Sequence, residues 1–139
     1  MIVAETNIIG YLYLTSERSS QSETALLKDS QWVAPLLWRS EFRNVLAHYI
    51  RKHILPLEEA NRIMEDAISL MQGGEYEIAS LQVLALVDKS NCSAYDCEFV
   101  ALAQDLNVPL VTVDKQILEQ FPNIAISLDK YINQDGNGS

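Results

Sequence analysis

Leu110-Val111-Thr112-Val113 is short, apolar and mostly β-branched, and it is the clearest strand in the chain. Four further short runs read the same way: residues 2–5, 32–34, 75–79 and 124–126. A segment of helical character separates each run from the next. Antiparallel strands can be joined by two residues, but parallel strands need a crossover long enough to return to the same edge. Strands alternating with helices therefore predict an α/β fold, a parallel β-sheet with helices on both faces.

The helical segments have defined ends. Thr6-Asn7 is a polar pair after the first strand, and Asn7 is expected to start a helix over residues 8–14. Ser19 or Ser20 can cap a second short helix running through Leu27. From Leu36 to His53, Leu37, Phe42, Val45, Leu46, Tyr49 and Ile50 recur on one face, and Pro56 ends the pattern. A further helix spans Leu57 to Met71 and stops at Gly73-Gly74, so the two form an αα-hairpin. Residues 80–87 are helical. Ser93 caps the next helix, with Phe99, Val100, Leu102 and Leu106 in the core, and Asn107-Val108-Pro109 ends it. Asp114 opens a brief helix through Leu118. Residues 1–130 read as one domain, and 131–139 as a polar, flexible C-terminal tail.

Composition narrows the function. No apolar run reaches the length of a membrane span, and Met1-Ile2-Val3-Ala4-Glu5 has no basic start, so neither a membrane anchor nor a signal peptide is expected. Cys92 and Cys97 do not form a CxxC pair, and His48 and His53 lie far from them in sequence; free thiols in a reducing cytoplasm are expected rather than a zinc site. A net charge of −9 argues against a broad electrostatic surface for nucleic acid, though not against a nuclease, whose own carboxylates add negative charge. Arg39, Arg43, Arg51 and Lys52 form the only basic stretch of note, and it shares a helix with Glu41. No Ser/His/Asp or Cys/His arrangement and no Gly-rich phosphate loop is present. His48 and His53 read as surface residues, and Trp32, Trp38 and Tyr49 as core or interface aromatics.

Four acids carry the chemical signal. Glu5 closes the first strand, Asp114 follows the clearest one, Asp96 sits in the first turn of a helix, and Glu41 lies inside a helix. Functional groups of an open parallel sheet gather at the carboxyl ends of its strands. Singly, each has a structural explanation. Asp96 and Ser93 resemble a capping box, Asp114 can be an N-cap, and Glu41 can pair with Arg39, Arg43 or Lys52. Glu5 is harder to explain, because a carboxylate closing a buried strand needs a partner. Brought together, four carboxylates repel one another unless a cation sits among them, which points to Mg²⁺ or Mn²⁺.

In this order the residues resemble PIN-domain ribonucleases, in particular the toxin half of VapBC-type toxin–antitoxin pairs. The likeness runs over roughly residues 1–128 and is carried by Ile2-Val3-Ala4-Glu5-Thr6-Asn7, by Trp38-Arg39-Ser40-Glu41-Phe42, by Ser93-Ala94-Tyr95-Asp96 and by Leu110-Val111-Thr112-Val113-Asp114. It implies a PIN-like sheet and a catalytic, metal-holding set of Glu5, Glu41, Asp96 and Asp114. Thr6, Asn7, Ser93 and Thr112 are candidates for the hydrogen bonds that fix those ligands. It also implies an RNA substrate cleaved to 5′-phosphate and 3′-hydroxyl ends, a small antitoxin whose tail inserts near the acids, and a homodimer made through the αα-hairpin. One position departs from the pattern: the family's first acid is Asp, and here it is Glu5, one methylene longer. Glu98, two residues from Asp96, points to a different helix face and is expected at the surface or outside the ligand set. Three other readings stand beside the toxin ribonuclease. One is a PIN fold impaired by Glu5 that acts by binding antitoxin or RNA. Another is a PIN nuclease of RNA processing, and the last an unrelated phosphate-accepting receiver.

Overall fold

The computed structural model describes residues 1–134. Five strands form one parallel sheet in the order β3-β2-β1-β4-β5. They are β1 (Ile2–Ala4), β2 (Trp32–Pro35), β3 (Glu75–Tyr76), β4 (Leu110–Thr112) and β5 (Ala125–Ser127). Eight helices connect and flank them: α1 (Thr6–Gly10), α2 (Ser19–Lys28), α3 (Trp38–Arg51), α4 (Leu57–Met71), α5 (Ser80–Asp88), α6 (Ala94–Leu106), α7 (Lys115–Gln120) and α8 (Leu128–Asn133). All three residues of β1 and of β4 are buried. Successive strand side chains point to opposite faces, so both faces of the sheet are covered, as the alternation predicts. The hairpin of α3 against α4 is also present.

The register sets the site. Val3 lies beside Val33 on one side and Leu110 on the other, and Ala4 lies beside Val111. The Glu5 amide continues the ladder by donating to Val111 O at 3.1 Å. Glu5 is thus fixed where β1 and β4 end side by side. Here the strand order reverses direction, the crevice in which open α/β sheets place ligands. The edge strand β3 approaches β2 closely at Gly74, where a Cβ would stand 2.4 Å from Trp32 O, a separation only glycine permits.

Several local expectations are corrected. Helix α1 starts at Thr6 and is capped by Glu5, not by Asn7, and it stops at Gly10. Gly10 lies under Phe42, whose ring a Cβ would meet at 3.3 Å, so α1 and α3 cross closely there. The cap of α2 is Arg18. Ser19 is its first residue and spends its hydroxyl on Leu14 O. Helix α3 ends at Arg51, before Pro56, through His53 in the left-handed region (φ 59°). Residues 131–133 are not tail but the end of α8, which Ser127 caps and whose Leu128 and Tyr131 are buried. Lys28 of α2 bonds the Tyr131 carbonyl and lies over its ring, which fastens α8 down. The rest of the expected tail, 135–139, lies outside the described residues.

Candidate active site

Each acid is delivered by a different element. Glu5 directly follows β1, and as N-cap of α1 its Oε2 accepts the Asn7 amide at 3.0 Å. Its Oε1 accepts the hydroxyl of Thr112, the buried last residue of β4, at 3.2 Å. The same Thr112 Oγ1 accepts the Asp114 amide at 3.0 Å, and Asp114 Oδ1 caps α7 by accepting the Ile117 amide at 2.9 Å. Glu41 sits in the first turn of α3, where Oε1 accepts the buried Thr6 hydroxyl at 2.6 Å. Asp96 is in the first turn of α6, and its amide donates to the Ser93 cap at 3.0 Å. The capping roles of Asp96 and Asp114 are therefore real, and they aim both carboxylates rather than replacing a site.

All four acids line one cleft of about 330 Å³ together with Thr6, Asn7, Asn44 and Val45. Among the described residues, no basic side chain lines it, and so none of the cations that could have neutralised Glu41 does. Arg39 makes two bonds of 2.6 Å to Glu75, and Arg43 donates to Ser40. Asn44, three residues after Glu41, is a lining residue that sequence reasoning passed over. The i, i+3 spacing on one helix face was its signal.

The electrostatics follow from burial without a counter-ion. The Glu5 carboxyl is pushed up to about 7 by burial above all, with Glu41 and Asp114 adding repulsion against the pull of Asn7 and Thr112. Glu41 is raised by burial and by Asp96, and Asp96 by burial and by Asp114. Glu98 does not line the cleft, but burial and Glu41 raise it as well.

Four carboxylates with no cation among them have the chemistry that suits a hard divalent ion. Among the described residues, no three acidic, histidine or cysteine side chains converge tightly enough to hold an ion as they stand. Glu41 accepts a hydrogen bond from Thr6, and Glu5 accepts from Asn7 and Thr112. The residues fit such an ion in type and charge.

Among the described residues no helix is long and apolar enough to cross a membrane. Residues 2–124 match the family model described as "PIN domain". The chain is similar to Ribonuclease VapC3 of Pyrobaculum aerophilum, with 29% identity over 124 residues that cover 87% of this chain and 95% of that protein. Its fold is similar to that of PAE2754 from Pyrobaculum aerophilum, with a TM-score of 0.74, 18% identity, and 95% of this chain and 96% of that chain covered. It is also similar to a chain of a toxin–antitoxin complex from Klebsiella pneumoniae, with a TM-score of 0.67, 18% identity and coverage of 92% and 98%. FitAcB from Neisseria gonorrhoeae gives a TM-score of 0.69, 15% identity and the same coverages. With the family model matched along nearly the whole described chain, and with the sheet order and acidic cleft set out above, this protein belongs to the PIN-domain family.

Proposed function

We propose that this protein is a divalent-metal-dependent endoribonuclease and the toxin of a toxin–antitoxin pair, working in the cytoplasm. The observation that carries the reading is the cleft itself, with four carboxylates from four segments and no cation to balance them. Folding such a cluster is costly, and the cost is understandable where the cluster binds a counter-ion. The similarity to Ribonuclease VapC3 and to a chain of a toxin–antitoxin complex supports the substrate class and the kind of partner.

Asp96, Asp114, Glu5 and Glu41 would hold Mg²⁺ or Mn²⁺. When bound, the ion offsets the charge of the scissile phosphate and lowers the pKa of the attacking water. The chain supplies the rest. Thr112 and the Asn7 amide orient Glu5, Thr6 orients Glu41, and the α6 and α7 caps orient Asp96 and Asp114. Glu41, whose Oε2 is left free by Thr6, would instead accept the proton of the attacking water if it does not hold the ion. Water oxygen bonds to phosphorus, the 3′ oxygen leaves with a proton, and 5′-phosphate and 3′-hydroxyl ends result. The partners that complete this reading are a small antitoxin whose basic tail enters the acidic cleft, and a second copy of the chain.

The test is RNA cleavage by the antitoxin-free protein in Mg²⁺ and in Mn²⁺, with EDTA and Asp96→Asn as controls. Metal-dependent cleavage that disappears in the variant is expected. No cleavage of several structured RNAs by folded protein overturns the reading. One observation favours a second reading, a binding protein with impaired catalysis: both oxygens of Glu5 are already engaged by the protein. A large gain of cleavage in Glu5→Asp would identify that state.

A further inference from the structure

The acidic cleft does not end at Glu41. Asn44 and Val45 line it and also line a second groove of about 320 Å³, whose other walls are His48 and Arg51. Glu41, Asn44, His48 and Arg51 follow one another at spacings of three, four and three, so they form a single stripe along α3. At 1.5 Å per residue the stripe runs about 15 Å from the acids. In the single chain Asn44, His48 and Arg51 are exposed, on the side of α3 away from buried Phe42 and Leu46.

Two features single this stripe out. The chain has ten Lys and Arg residues against nineteen acids, and four of the ten fall between positions 39 and 52. Of those, Arg39 is bound by Glu75 and Arg43 donates to Ser40, whereas Arg51 and Lys52 make no ion pair or side-chain hydrogen bond among the described residues, and of these two only Arg51 lines the groove. Nor do His48 and Asn44 make any ion pair or side-chain hydrogen bond among the described residues. Three exposed donors of α3 without partners, Asn44, His48 and Arg51, therefore lie in a groove continuous with a cleft that repels polyanions. A strand whose scissile phosphate sits among four carboxylates needs a compensating attraction nearby, and phosphate contacts position a strand regardless of its sequence.

We propose that Asn44, His48 and Arg51 form a phosphate-backbone subsite that holds the RNA strand on one side of the acidic cleft. The inference rests on the ribonuclease reading. Arg51 is the ionic anchor, and Asn44 and His48 are hydrogen-bond donors between it and the cleft.

The test is binding of a single-stranded RNA oligonucleotide to full-length protein carrying Asp96→Asn, followed by fluorescence anisotropy across a range of salt. Adding Arg51→Ala should weaken binding about five-fold or more and reduce the slope of log affinity against log salt by about 0.7, the value for one phosphate contact on a single strand. His48→Ala and Asn44→Ala should weaken binding with a smaller change of slope. Lys130→Ala, on α8, serves as the control for net charge and should change neither. In the otherwise wild-type protein, Arg51→Ala should raise KM for RNA. Unchanged affinity and slope in Arg51→Ala overturn the subsite, as does RNA binding too weak to detect before Arg51 is altered. Wild-type cleavage with those unchanged values leaves the ribonuclease standing without the subsite. Arg51-dependent binding with no cleavage by the wild type leaves the subsite standing and overturns the ribonuclease.

Discussion

The hydroxyl of Thr112 donates to Glu5 Oε1 at 3.2 Å, joining the ends of two strands that are 107 residues apart in sequence. Because the same oxygen accepts the Asp114 amide, one buried side chain sets two acids at once. Thr112→Val keeps the shape and removes the hydroxyl. It leaves the Asp114 N–H without its acceptor, a loss of about 1–3 kcal/mol. The variant should melt several degrees lower and bind Mn²⁺ more weakly, whereas Thr112→Ser should retain most of both. Thermal unfolding followed by calorimetric metal titration checks this. Full metal affinity in Thr112→Val would remove Thr112 from the positioning role.

The charge of the cleft makes stability depend on pH in an unusual direction. Glu5 holds its proton up to about 7, above its ordinary value of 4.5, chiefly through burial. A carboxyl raised on folding contributes fully below the unfolded value and loses that contribution as pH rises through the folded one. Glu41, Asp96 and Glu98 are raised too and act with the same sign. In EDTA, the protein should therefore lose stability between about pH 4.5 and 7, where an ordinary protein gains or holds. Glu5→Gln should flatten that decline. Urea unfolding at several pH values decides it, and an equal decline in both proteins would reject Glu5 as its source.

Asp96 lies under repulsion from Asp114 and raises Glu41 in turn. Asp96→Asn removes one charge from this set while keeping the side chain's shape. The expected outcome is opposite for fold and function: cleavage lost, and Tm in EDTA higher by a few degrees. Excess Mg²⁺ should reverse the order, stabilising the wild type more than the variant. Thermal melts of both proteins with and without Mg²⁺ test it. A variant less stable than the wild type in EDTA would mean that Asp96 serves the fold through the α6 cap more than it burdens it.

The parallel sheet was legible because it rests on local pattern, and the four acids because their order along the chain resembles one family's, although each taken singly has a structural explanation. β-branched runs mark β4, Ser93 marks the start of α6, and an acid directly after a strand marks Glu5 and Asp114. What was missed depends on contacts between distant segments. Asn7 is a better N-cap by residue type than Glu5, but the ladder bond from Glu5 to Val111 fixes the chain so that Glu5 takes that role. The end of helix α8, residues 131–133, read with the polar tail that follows it, yet the helix is held by α2, a contact no local window contains. Asn44 has no signature of its own. It matters because α3 carries it beside Glu41 into the cleft.

Helix α3 carries Glu41, and its first turn is held to the sheet edge by one side chain. Glu75 of β3 accepts both Arg39 nitrogens at 2.6 Å and the indole N–H of Trp38 at 2.9 Å. Arg39 in return holds the Glu75 carboxyl below its ordinary value. Trp38 is fully buried, so its N–H has no water to replace Glu75. Glu75→Ala should therefore cost on the order of 1–3 kcal/mol, most of it from the stranded indole donor rather than from the half-exposed ion pair. Glu75→Gln keeps an acceptor for the indole and should recover most of that loss. If this anchor also sets where Glu41 points, RNA cleavage should fall in Glu75→Ala well below the loss of folded protein and return in Glu75→Gln. Cleavage that simply tracks the folded fraction in both variants would confine Glu75 to stability.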